Sequence, residues 1–171
     1  MKKLFALILS LCLLCGCTAM AETVISWEDV TPYLEAGEVT GDFYTFDAIA
    51  AMIWIPTGMV PTELPDESYI GYFVPEDGSE GAIAVQYVDV NGASLEDYAA
   101  ILPDVGATGI EMGTLNGLPC VSYDLPETNA MCVAFTTEAG YVMEVIVAPI
   151  TDELTKLAAS VVLASVQPLA E

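Results

Sequence analysis

The chain contains no histidine and no arginine, and its only lysines are Lys2, Lys3 and Lys156. Nucleophilic triads of the serine or cysteine type need a base, usually histidine, so that chemistry is excluded. The commonest zinc ligand is missing with it, and Cys120 and Cys132 lack the C-x-x-C spacing of a metal site. No glycine-rich phosphate loop with a following lysine occurs, and a single late cation is a poor phosphate trap. A formal net charge of −22 repels nucleic acid and anionic lipid surfaces alike. After the first apolar run there is no second one approaching the ~20 residues that a membrane helix needs. The mature chain is therefore expected to have no transmembrane span.

That first run is informative. Met1-Lys2-Lys3 precedes an apolar stretch from Leu4 to Cys15, and small residues follow, ending Ala19-Met20-Ala21. A charged start, an apolar middle and a small-x-small end are the marks of a signal peptide, here over residues 1–21. Leu14-Cys15-Gly16-Cys17 resembles a bacterial lipobox and gives a rival reading, a lipoprotein signal over residues 1–16 with Cys17 as lipid anchor. Both readings place a single domain, residues 22–171, outside the cytoplasm, secreted or held at the cell surface. A domain of that length buries a sizeable core. Its acids are scattered rather than blocked, and 54% of the whole chain is hydrophobic, which argues for a folded domain with a solvated surface.

The densest structural signal runs from Thr114 to Ala148. Three β-rich runs are separated by Pro126-Glu127-Thr128-Asn129 and by Ala139-Gly140, the pattern of an antiparallel meander. Asn116-Gly117 suits a two-residue type I′ turn before it. With Pro126 to Asn129 as a four-residue loop, Leu125 pairs with Ala130, Tyr123 faces Cys132 and Cys120 faces Phe135. The two thiols then fall on opposite sides of the sheet and are expected to remain unbridged. With Ala139-Gly140 as a two-residue loop, Phe135 faces Glu144 and Val133 faces Ile146. Both residue parities of Tyr141–Ala148 are mostly apolar, so both faces of the sheet need a cover.

Elsewhere the signals are local. Ser26 with Asp29 and Ser94 with Asp97 read as capping boxes opening two helices. Trp27, Val30 and Leu34 share a face of the first. Pro32 is awkward inside it, and a start with Thr31 as cap is the alternative. The second helix runs to Leu102, before Pro103. Strand-like runs follow the first helix at residues 40–46 and 49–55, with a loop from Pro56 to Glu67, then at 69–74 and 82–89. Thr151 reads as the cap of a last helix, with Leu154, Leu157, Ala158, Val161 and Val162 as its buried stripe.

This order of elements, with Met52-Ile53-Trp54-Ile55-Pro56, the strand-to-helix step through Ser94–Leu102 and the closing helix after Pro149, resembles the PsbP-like fold over about residues 40–168. The fold is shared by exported bacterial lipoproteins of the DcrB and LpqN types, and the general texture is similar to small exported proteins of Gram-positive anaerobes. The resemblance implies an α+β domain, a mostly antiparallel sheet covered by helices on both faces in an α/β/α sandwich. It implies accessory, assembly or binding roles and carries no site residues or cofactor.

Oxygen-rich loops offer the one ligand chemistry that composition favours. Glu76, Asp77 and Glu80, and separately Asp89 and Asn91, are weak candidates for calcium, which takes six to eight oxygens. Neither loop has the EF-hand spacing, and both are built from ordinary turn residues. Glu144, inside an apolar strand, either is a buried carboxylate marking a site or reaches water at the rim of the sheet, the plainer reading. Trp27 and Trp54 are core candidates before they are groove candidates. The functional expectation is a non-catalytic exported or cell-envelope domain, not an enzyme, that binds a protein or another envelope component. A small-molecule or calcium binder is the alternative. A hydrolase using two carboxylates is the least favoured.

Overall fold

A computed structural model describes residues 23–90 and 92–169. The signal peptide, both cleavage readings, Cys17 and Asn91 lie outside the described residues. The fold is mixed α+β, mostly strands, with three α-helices and two sheets among the described residues. Along the chain come β1 (Thr23–Ile25), α1 (Trp27–Glu35), β2 (Gly41–Phe46), β3 (Ala51–Pro56), β4 (Met59–Pro61), β5 (Tyr69–Pro75) and β6 (Ala82–Tyr87). Then follow α2 (Leu95–Ile101), β7 (Thr108–Leu115), β8 (Leu118–Leu125), β9 (Ala130–Thr136), β10 (Val142–Ala148), α3 (Glu153–Ala164) and β11 (Gln167–Pro168).

The larger sheet has eight strands in the order β1-β7-β8-β9-β10-β6-β5-β4, antiparallel except where β1 joins β7. The backbones of that parallel pair come so close that a Cβ at Gly113 would clash with the Thr23 carbonyl oxygen. Glycine is the residue that allows the approach. The smaller sheet is β11-β3-β2. The two edge strands β1 and β11 have no signal strong enough to be expected from sequence, and β4 falls where a loop was expected. All are short or lean on a neighbouring strand for their hydrogen bonds.

The capping boxes at Ser26 and Ser94 form as expected. Pro32 stays inside α1, because the Ser26 cap and the burial of Val30 outweigh one lost hydrogen bond. The last helix starts one residue later than expected. Asp152, not Thr151, is its cap, since its carboxylate accepts from the Thr155 N–H at 2.8 Å. The stripe turns accordingly: Val161 and Val162 are buried with Ala159 and Leu163, while Leu154 is exposed.

In the meander, β8 and β9 pair as the four-residue loop predicts, with Tyr123 opposite Cys132 and Cys120 opposite Phe135. The two thiols therefore enter different apolar layers. The next hairpin departs from expectation by one residue. Thr137 N–H donates to the Tyr141 carbonyl at 2.9 Å, so the loop is Glu138-Ala139-Gly140, with Gly140 left-handed at φ 84°. A type I turn closed by a left-handed glycine is the common three-residue solution. Met143 thus faces Phe135, and Glu144 faces Ala134. A one-residue slip moves every side chain of the strand to the other face.

Two apolar layers result. The larger contains Phe73, Val85, Val133, Phe135, Met143 and Val145 of the big sheet, with Ile53 and Trp54 of β3 and Val161 and Val162 of α3. The smaller joins Val121, Tyr123, Cys132 and Ala134 to Leu95 and Leu102. Trp54 is core, and Trp27 packs edge-on against Phe43 with ring centres 5.1 Å apart. Among the described residues no helix is long and apolar enough to cross a membrane.

Candidate functional site

A cleft of 620 Å³ opens where four separate segments meet: the turn between β3 and β4, the loop after β5, the end of β10, and α3. Its volume falls within the range of small-molecule sites, about 300–1,000 Å³. Each wall has a local cause. Gly58 takes a left-handed φ of 89°, turning the chain back from Pro56, and its carbonyl accepts from the Glu76 N–H at 2.7 Å. The following loop closes on Gly78, also left-handed, whose N–H donates to the Pro75 carbonyl. Asp77 accepts from the Ser79 N–H at 2.9 Å, and hydrogen bonds from Ser79 hold its carboxyl below the usual range. On the facing side the capping box of α3 places Thr155 on the cleft wall, one turn from Ala158.

The floor is apolar, made by Met59, Ile83, Val147 and Val162 among others, and Glu76, Asp77 and Glu80 stand at the exposed rim. None of the lining residues is basic. The expected oxygen-rich loop thus borders a cavity, and its acids are brought together on one rim. Asp89 is not among the lining residues. Among the described residues no three acidic or thiol side chains converge closely enough to hold a metal ion.

Glu144 is elsewhere, and it does not reach water at the rim. It is 5% exposed, opposite Ala134 of the smaller apolar layer. Gln86 Nε2 donates to its Oε2 at 2.6 Å, and the Tyr98 hydroxyl donates to Oε1 at 3.3 Å. Tyr98 also shares a 3.1 Å hydrogen bond with the Tyr123 hydroxyl. Burial raises the Glu144 pKa, and the hydrogen bonds from Gln86 and Tyr98 pull it back in part. Tyr98 is raised in turn, by burial first and by the neighbouring carboxylate second. The plainer reading, an exposed position, failed because Tyr98 of α2 and Gln86 of β6 close over the carboxylate and hydrogen-bond to it.

Sequence reasoning found one wall of the cleft and missed the others. Thr57, Val147 and Ala158 carry no local signal for a site, since only the packing of α3 against the sheet brings them together. It also read Asn116 only as a turn residue. At φ 47° its side chain donates to the Ala164 and Val166 carbonyls at 2.8 Å each and accepts from the Trp27 N–H at 2.8 Å. One amide thus ties the β7–β8 turn to the start of α1 and the end of α3. Ser165 makes a second tie: it accepts from the Trp54 N–H at 2.8 Å and donates to the Val162 carbonyl.

No family model matches the chain, and no curated protein matches it. Solved structures do. The chain is similar to the cyanobacterial PsbP protein (CyanoP) of Synechocystis sp. PCC 6803, with a TM-score of 0.53 and 10% identity, covering 74% of this chain and 91% of that one. The fold is PsbP-like. A further similar structure is the Ran-binding protein Mog1p of Saccharomyces cerevisiae, with a TM-score of 0.46 and 12% identity, covering 77% of this chain and 96% of that one. At such identities the likeness is one of fold, so the PsbP-like frame says where the elements run and not what occupies the cleft.

Proposed function

We propose that this PsbP-like chain is a non-catalytic exported or cell-envelope accessory domain whose work is binding, and that the cleft between α3 and the loop after β5 is its binding surface. The observation that carries the reading is the cleft itself: an apolar floor, a one-signed rim and no histidine anywhere in the chain to serve as a base. The reading includes an anchor at Cys17 in the manner of the DcrB and LpqN types, and a sheet with helices over both faces. Support for the latter is the pair of apolar layers, one containing α2 residues and the other α3 residues.

Filling the cleft tests the proposal. The domain is purified natively from the envelope of the producing cell, beside an Ala158→Trp variant, and retained molecules are compared by mass spectrometry. A component held by the wild type and absent from the variant is expected. Equal retention by both proteins would place binding elsewhere and sink the reading.

A further inference from the structure

Resting on the reading that the cleft is the binding surface, we infer that its occupant is a small cationic amphiphile: an apolar chain or ring carrying one protonated amine or guanidinium. Size comes first. At 620 Å³ the cleft matches a molecule rather than a protein surface, and its floor of Met59, Ile83, Val147 and Val162 recognises only apolar bulk. A purely apolar ligand leaves the rim unused. Glu76, Asp77 and Glu80 lie along one side of the mouth, and none of the lining residues is a counter-cation. Lys156 follows Thr155 on α3 but is not a lining residue. A cation held at that rim with its apolar body on the floor meets both surfaces at once. An anion of the same shape faces three carboxylates and the field of a chain of net charge −22. The rim is also set before the ligand arrives, because hydrogen bonds from Ser79 fix Asp77 and favour its ionised form.

Three probes of one shape separate the terms: octylamine, octanol and octanoate, each below its aggregation concentration, titrated calorimetrically at pH 7. The expected result is octylamine binding about tenfold tighter than octanol at low salt, with octanoate weakest and the margin shrinking as salt is added. A Glu76→Gln, Asp77→Asn, Glu80→Gln variant should lose the margin and keep the octanol affinity. Asparagine retains the acceptor that Ser79 uses, so the loop keeps its turn. Ala158→Trp should abolish binding of all three. Equal affinities for the three probes, failure of octylamine to bind, or an amine preference that survives Ala158→Trp would each overturn the inference. The last would show diffuse attraction to an acidic chain. If octylamine fails while the envelope component is still retained only by the wild type, this inference falls and the binding reading stands.

Discussion

On one face of the large sheet, Phe73, Val85, Phe135, Met143 and Val145 meet α3 and the small sheet in a layer with no buried carboxylate among its residues. On the other, Val121, Tyr123, Cys132 and Ala134 share their layer with Glu144. The first layer includes Val161 and Val162 of the twelve-residue α3 and residues of the small sheet, and the second includes Leu95 of the seven-residue α2, which has Tyr98 at its centre. Beside the second layer, Tyr98 of α2 and Gln86 of β6 supply a hydroxyl and an amide donor, which offset part of the cost of burying an acid. The difference separates a face that holds the fold from one that tunes it.

Truncating the first face should therefore have the largest effect. Phe135→Ala removes a fully buried ring and is expected to cost about 3–5 kcal/mol, read from urea unfolding followed by tryptophan fluorescence. A loss under 1 kcal/mol would mean that this layer is not the main core. Next comes the tie between α1 and α3. Asn116→Ala removes three side-chain hydrogen bonds and leaves a Cβ residue at φ 47°, for about 2–3 kcal/mol by the same assay. Asn116→Asp should recover the bond from Trp27 but not those to Ala164 and Val166, and so fall between.

The second face should show itself in pH. Because burial raises the Glu144 pKa above its unfolded value, the folded state binds the proton more tightly. The stability from this group is full below the unfolded pKa and is lost as pH rises through the folded one. Glu144→Gln should flatten that decline, raising the thermal midpoint relative to wild type at alkaline pH more than at pH 4. Parallel curves for the two proteins would show that Glu144 does not titrate differently on folding. The smallest effect is chemical and leaves stability alone. With the two thiols in opposite layers, and the Cys132 thiol pushed up to about 12 by burial, alkylation should be slow in the native protein. In denaturant without reductant two labels should appear on Cys120 and Cys132, and none would mean that they are bridged.

Much of both faces was legible in residue order. The alternation of β8 and β9, the Pro126–Asn129 loop and the capping boxes at Ser26 and Ser94 are short-range patterns, and each reappears as read. The register of β10 departs from the sequence reading at one point, the turn at Ala139-Gly140. A two-residue type I′ turn needs a positive φ at Ala139, which alanine disfavours, so the three-residue loop with Gly140 left-handed forms instead. That choice decided to which face Glu144 points. Of the cleft, only the acid loop was visible beforehand.

The sequence by itself determined the composition of the surface, the periodicities that set strands and helices, and the caps that start them, because those depend on neighbours within a turn or a hairpin. It also determined what chemistry is absent, since a chain without histidine or arginine has none to bring together. Only the tertiary structure decided the rest. The edge pairing of β1 against Gly113, the second sheet closed by β11, the reach of Asn116 to two helices and the four-walled cleft all join residues far apart in the chain. Such contacts depend on how whole elements pack, and a side chain carries no local mark of the partner that packing will bring to it.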